Sequence, residues 1–172
     1  MNRVLIPIIL MLGIIFLLMI QCTVIDRWYP WGVRLELLPA LLLYASFTVN
    51  LPSALLLGLL AGVMYDSFSA GHFGGSLFPY VASITLFCMV RPIFFRNQFT
   101  TQFLSGIVFG FMALSLQFLL SGKFMVGWEY AFPKILRLAL VTGVLSVFYF
   151  AFFDVLARMI GLDPGRIEDS LT

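Results

Sequence analysis

Hydrophobic residues fall into six long runs along the chain, each closed by a short polar or charged stretch. The runs cover residues 4–24, 37–49, 53–66, 73–90, 99–120 and 138–160. A helix of about 20 apolar residues crosses the roughly 30 Å hydrocarbon core of a bilayer. We therefore predict an all-α integral membrane protein with six transmembrane helices in a single membrane domain, residues 1–172. The second and third runs are short for a span, so they require tilt or a locally thinned bilayer.

Composition and charge agree with this prediction and narrow the function. The chain is 62% hydrophobic and 10% charged, which leaves too little polar surface for a water-soluble domain of 172 residues. Its net charge is +2 and it has no run of Lys or Arg. A phosphate-tracking surface needs such a run, so we expect no nucleic-acid partner.

The number of Lys and Arg residues on each side does not determine the orientation of the protein in the membrane. With six spans both termini share one side of the membrane, and each side carries five Lys or Arg residues. Short cytoplasmic loops are usually enriched in these residues. The compact loop that contains Arg91 and Arg96 therefore favours a cytoplasmic position for itself and for both termini, with Arg34 at the opposite interface.

Small residues recur every fourth position in the third run. Ala54, Gly58 and Gly62 precede Asp66 at this spacing, so on a helix they form one narrow ridge. Such a ridge lets another helix backbone approach closely in a bilayer. Two interpretations stay open, internal packing or a groove for the transmembrane helix of a partner. A second pair at the same spacing, Gly106 and Gly110, predicts a second helix contact.

Asp66 is the first candidate for chemistry, because it ends an apolar run. A carboxylate at the centre of a membrane helix costs about 2.5 to 3.5 kcal/mol on insertion scales. At a helix end its oxygens can accept backbone N–H bonds from the turn that begins at Ser67. We favour organisation of this turn, with contact to a partner or proton and catalytic work as the alternatives.

The sequence predicts no enzyme. His72 lies near Ser69 and Ser76, but their presence in one turn does not establish the geometry of a catalytic triad. Asp66 follows a tyrosine as in membrane aspartyl proteases, yet the second acid, Asp154, lacks the Gly-x-Gly-Asp motif of those enzymes. We expect no catalytic residues.

Two further pairs have structural interpretations. Asp154 and Arg158 are four residues apart near the end of the last run, so we predict an ion pair at the membrane interface. Cys22 and Cys88 lie in different runs of a chain with one histidine, without the spacing of metal ligands. We expect neither a metal nor a cofactor.

These stretches together resemble the MreD family, the rod shape-determining membrane proteins. The resemblance covers essentially the whole chain, including its length and hydropathy profile. Its motifs are the stretch from Gly58 to Asp66 with Ser69, Gly71 and Gly74 or Gly75 after it, Arg34 five residues before Pro39, the Phe95-Arg96-Asn97 loop, and Pro133 at the opening of the last span.

The resemblance implies a non-enzymatic scaffold subunit of the bacterial cell-elongation complex, in the inner membrane with both termini cytoplasmic. Such proteins bind MreC and help to organise peptidoglycan synthesis and cell shape. MreB, the glycosyltransferase RodA and a class B penicillin-binding transpeptidase belong to the same complex, and membrane lipid surrounds it.

The family is similar in fold to the substrate-binding subunits of energy-coupling-factor transporters, which supplies the alternative function. Such a vitamin-binding subunit couples through an Ala-x-x-x-Ala face on its first helix. The first run here contains no alanine. It also lacks the polar cluster that orients a soluble small molecule in a pocket.

Overall fold

The architecture is all-helical in the computed structural model, which describes residues 2–23, 36–68, 74–90, 98–120 and 127–159. Six α-helices account for nearly all of these residues. They are α1 (Asn2–Thr23), α2 (Leu38–Thr48), α3 (Leu51–Phe68), α4 (Leu77–Val90), α5 (Phe99–Leu120) and α6 (Gly127–Met159). The all-α prediction is confirmed.

Four of the helices are long and apolar enough to cross a membrane. The segments that meet both conditions are Leu5–Thr23, Leu51–Phe68, Phe99–Leu120 and Glu129–Met159. The remaining two, α2 and α4, are apolar but shorter. Large apolar side chains on the outside of the long helices, such as Phe16, Leu56 and Phe148, are more than half exposed. Lipid is the environment that suits such a surface, so the chain has the character of a membrane protein.

The short helix α2 occupies the centre of the structure. All eleven of its residues are buried, and it packs against each of the other five helices. An apolar helix of 10 to 14 residues is typical of a buried core helix. Because α2 has no side facing the surroundings, its apolar residues form a continuous run without helical periodicity.

Helix contacts show that neighbouring helices along the chain run in opposite directions. Gln21 near the end of α1 contacts Leu37 just before α2. Pro7 and Met11 of α1 line a groove of about 320 Å³ with Ser53 and Leu57 of α3, so α1 and α3 begin at the same end. A two-residue connection between α2 and α3 follows directly from this arrangement.

The boundaries of α3, α4 and α6 differ from the sequence prediction. Helix α3 extends from Leu51 to Phe68, beyond the expected 53–66, and α4 begins at Leu77 instead of residue 73. Helix α6 begins at Gly127, eleven residues before the expected start at 138. Its first turns carry charges, so hydropathy alone does not assign them to a membrane span. They are helical because Ala131 and Ile135 pack on Leu114 of α5.

Pro133, which was expected to open the last span, lies inside α6. Proline has no backbone N–H, so one intrahelical hydrogen bond is missing at this point. The side chain of Pro133 is exposed, and the carbonyl that lacks a donor can be solvated there. The helix therefore continues through the proline.

Candidate functional site: a buried polar layer

Polar side chains from the first five helices and their ends gather at one end of the structure. We call this set the polar layer, and its members are Gln21, Glu36, Tyr65, Asp66, Ser76, Tyr80 and Gln117. The helix directions explain the gathering, because α1, α3 and α5 end where α2 and α4 begin. Each member sits within a few residues of such an end. The layer therefore ties together helices that are far apart in the sequence.

Asp66 closes the connection between α3 and α4. Its carboxylate accepts backbone N–H bonds from Gly74 at 2.8 Å, Ser76 at 3.0 Å and Leu77 at 3.4 Å, and the residue is only 6% exposed. The Gly74 donor belongs to the turn, whereas Ser76 and Leu77 lie at the start of α4, where N–H groups are free and a negative charge is also favoured by the helix dipole. Gly74 adopts a positive φ of 96° that suits glycine.

The donors to Asp66 differ from those expected. The sequence suggested the turn that begins at Ser67, but Ser67 is part of α3 and its hydroxyl donates to the Val63 carbonyl. Asp66 instead reaches across to the far side of the turn. A carboxylate at the last turn of one helix can cap the first turn of the next, since the two helices are antiparallel neighbours.

Glu36 accepts hydrogen bonds from tyrosines of two different helices. The Tyr65 hydroxyl of α3 donates to Oε1 at 3.3 Å, and the Tyr80 hydroxyl of α4 donates to Oε2 at 3.4 Å. Both rings are buried and meet edge to face, with centroids 6.2 Å apart. Glu36 stands just before α2, where its charge is favoured by the helix N-terminus. It therefore joins α2 to both helices of the α3–α4 pair.

Two glutamines extend the layer to α1 and α5. The Gln21 side-chain oxygen accepts the backbone N–H of Leu37 at 3.3 Å. The Gln117 side-chain amide donates to the Ser76 hydroxyl at 2.9 Å, and Ser76 also donates its backbone N–H to Asp66. Hydrogen bonds thus run from α5 through Ser76 to α3.

The Ala54, Gly58 and Gly62 ridge faces α4 of the same chain. A Cβ atom at Gly58 would lie 2.5 Å from the tip of the Ile84 side chain, and one at Gly62 would lie 2.5 Å from the Leu77 Cα. Ala54 is fully buried. The ridge and Asp66 therefore act on the same helix, the glycines by close approach and the carboxylate by capping. A partner helix would have to displace α4 to reach this surface.

Gly106 and Gly110 face α6 in the same way. A Cβ at Gly106 would lie 2.8 Å from the Gly143 Cα, and one at Gly110 would lie 2.8 Å from the Thr142 Cβ. The Ser146 hydroxyl lies within hydrogen-bond distance of two carbonyls, Gln102 of α5 at 2.8 Å and Gly143 of its own helix at 2.7 Å, and its bond to Gln102 crosses this contact. The α5–α6 pair is therefore held by close backbone packing and an interhelical hydrogen bond, the two forces that associate helices in lipid.

Two of the predicted interfacial residues, Asp154 and Arg158, lie within the described residues, and the ion pair expected between them stays a prediction. Asp154 accepts a hydrogen bond from the Tyr44 hydroxyl of α2 at 3.1 Å, and Arg158, one turn further on, is exposed. Asp154 therefore connects α6 to the central helix. Arg34, Arg91 and Arg96 lie outside the described residues, as does His72.

Within the described part of the chain, the contacts of these polar groups are those of structural residues. It contains no group of three or more His, Cys, Asp or Glu side chains that could hold a metal ion. Asp66 and Glu36 both accept hydrogen bonds that join separate helices. Satisfied networks of this kind make a buried arrangement unique and rigid.

Of the seven members of the layer, the sequence analysis named Asp66 as a candidate site residue and considered Ser76 only beside His72. It missed five members, namely Gln21, Glu36, Tyr65, Tyr80 and Gln117. The signal for four of them was a polar side chain near one end of an apolar run. The antiparallel order of the runs then places these ends at one level. Tyr80 lies further inside its run, and only the structure shows its contact with Glu36.

Comparison of the chain with models of protein families, with curated proteins and with solved structures finds no match. The class that fold and site support is therefore a helical membrane protein whose buried polar groups connect its helices.

Proposed function

We propose that this chain is a non-enzymatic scaffold subunit of the MreD type in the bacterial inner membrane. It binds MreC and helps to organise peptidoglycan synthesis within the cell-elongation complex. The order of motifs along the sequence, from the Gly58–Asp66 stretch to Pro133, is the basis of this proposal.

One observation of the structure supports a scaffold in particular. The carboxylate of Asp66, the acidic group most suggestive of chemistry in the sequence, accepts three backbone N–H bonds from the turn before α4 and the start of that helix. A carboxylate engaged in this way fixes the chain that surrounds it and has little acceptor capacity left for a substrate. Its surroundings therefore suit a rigid helix pair better than a catalytic centre.

The proposed topology has six crossings and cytoplasmic termini. Helices α1 and α3 begin at the same end, so the connecting helix α2 returns across the bilayer although it is short. A buried helix can do so because protein, and not lipid, surrounds both of its ends. The polar layer would then lie toward the periplasm.

A partner helix would contact a surface other than the glycine ridges. Gly62 is in close contact with α4, and Gly106 with α6. The lipid-facing side chains of α1 and α3, such as Phe16 and Leu56, remain accessible to a partner within the membrane.

Affinity purification from native membranes tests the proposal. The tagged full-length protein is solubilised in mild detergent, and proteins enriched over an untagged control are identified by mass spectrometry. We expect MreC together with RodA or the class B transpeptidase. A second tagged polytopic protein of similar abundance controls for general membrane carry-over.

Either of two results contradicts the scaffold proposal. Recovery of ATP-binding-cassette subunits without MreC identifies the alternative, a vitamin-binding subunit. Failure to enrich MreC, in membranes where MreC itself is abundant and solubilised, removes the proposed partner.

A further inference from the structure

The side-chain amide of Gln21 is buried, and only its oxygen has a hydrogen-bond partner among the described residues. The residue is 2% exposed, and its oxygen accepts the Leu37 N–H at 3.3 Å. The amide nitrogen, a donor of two hydrogen bonds, has no acceptor within the described residues. Buried amides rarely stay in this condition, because the lost hydration is not replaced.

Rotating the amide does not solve the problem. If its oxygen and nitrogen exchanged places, the nitrogen would face the Leu37 N–H, and two donors would oppose each other. The hydrogen bond to Leu37 therefore favours the orientation in which the amide oxygen faces this N–H. An acceptor beside the Gln21 nitrogen has to come from another group.

The hydrogen bond of Gln21 leads to the residue beside Glu36. Its bonding partner Leu37 directly follows Glu36, whose carboxylate receives the Tyr65 and Tyr80 hydroxyls. An internal water is favoured where a site offers two to four polar partners. Here the amide nitrogen supplies a donor, and a carboxylate is an acceptor for about four hydrogen bonds.

We propose that an internal water molecule binds beside Gln21, accepts a hydrogen bond from its amide nitrogen and donates one to the Glu36 carboxylate. The water completes the polar layer, because it connects α1 to the carboxylate that already joins α2, α3 and α4. It is a structural ligand of the layer and exchanges slowly with bulk solvent.

Water-edited solid-state NMR of the full-length protein in lipid nanodiscs tests this site. Magnetisation transfer from water to the Gln21 side-chain nitrogen is measured, and the signal is assigned by its loss in Gln21→Met. We expect transfer to Gln21 at least several times faster than to the backbone N–H groups of Leu41 and Leu42, which are fully buried in α2. Exposed Gln98 serves as the positive control.

Two results overturn the proposal. One is transfer to Gln21 as slow as transfer to Leu42. The other is a direct protein acceptor for the Gln21 nitrogen in an experimental map that resolves ordered water. The second result is read from the unmodified protein alone, so the proposal remains testable if Gln21→Met does not fold.

Discussion

At the scale of single residues, the positions of the buried carboxylates follow from the hydrogen bonds that they accept near helix ends. Asp66 lies in the last turn of α3 and caps α4, whereas Glu36 precedes α2 and binds tyrosines of α3 and α4. Each carboxylate is paired with donors that an apolar surrounding would otherwise leave unsatisfied. Removing one such group lowers the stability by more than the net energy of its hydrogen bond, because the partner is then left buried and unpaired.

Substitution of Asp66 tests its capping role. Asp66→Asn keeps one acceptor oxygen but places an NH₂ group against a backbone N–H, so we expect a loss of about 1–3 kcal/mol in stability with function largely preserved. Asp66→Leu removes both acceptors and should cost more. Thermal unfolding of the purified protein in detergent measures the effect, with Ser67→Ala on the exposed side of α3 as the control. If Asp66→Asn is as stable as the wild type but inactive, the negative charge itself is required.

The Glu36 contact can be tested by a double-mutant cycle. Tyr80→Phe removes a hydroxyl that donates to Glu36 in a fully buried position, and we expect it to destabilise the protein by about 1.5–3 kcal/mol, as for bonds to charged groups. The cost should shrink in a Glu36→Leu background, where the acceptor is absent. Equal costs in both backgrounds would show that the hydroxyl does not act through Glu36.

At the scale of helices, close approach is concentrated at a few glycines. Gly62 lies against the backbone of α4, whereas Gly58 lies against the flexible tip of Ile84. A Cβ atom at Gly13, by contrast, would lie 3.4 Å from the Phe153 ring, an ordinary contact distance. Equal spacing in the sequence therefore does not mean equal tolerance of a side chain.

Alanine substitutions should separate these glycines. We expect Gly62→Ala to destabilise the protein by about 1–3 kcal/mol, because a backbone atom of α4 must move. Gly58→Ala should cost less, since Ile84 can change rotamer, and Gly13→Ala should be neutral or stabilising through helix propensity. The measurement is thermal unfolding of the three variants side by side. A Gly58→Ala protein less stable than Gly62→Ala would contradict this order.

The hydropathy pattern predicted the helices more accurately than it predicted the contacts between them. The run at 99–120 coincides with α5, because lipid on one side and protein on the other both select apolar residues. The start of α6 was missed, since charged residues there are compatible with a helix that extends past the hydrocarbon core. The ridge and Asp66 were visible as a pattern, but spacing alone does not reveal that α4 covers the ridge.

For the whole molecule, the length of α2 follows from its position. Eleven residues of helix extend about 16 Å, well short of a 30 Å hydrocarbon core. The other helices enclose α2, so both of its ends can lie below the lipid headgroups without exposing backbone to lipid. Its polar connections, Glu36 before it and Tyr44 to Asp154 within it, attach it to α3, α4 and α6. A protein organised in this way has one central helix that every other helix contacts.

The proposed six crossings make a prediction about which residues share a side. Single cysteines at exposed Asn50, Tyr130 and Arg158 are introduced after Cys22 and Cys88 are replaced by alanine. In intact cells we expect a membrane-impermeant maleimide to label position 130 alone, and positions 50 and 158 only after permeabilisation. The reason is that Asn50 and Arg158 both lie at the end opposite to the polar layer.

The labelling of position 50 decides the role of α2. If α2 and α4 did not cross and only the four long helices were spans, position 50 would lie on the same side as the end of α1 and would be labelled together with position 130. That result would exclude the six-crossing topology and would also contradict the placement of the starts of α1 and α3 at the same end. If positions 50 and 158 are labelled together and only after permeabilisation, α2 crosses the bilayer between α1 and α3. This agrees with the structure, in which the first turns of α1 and α3 lie side by side.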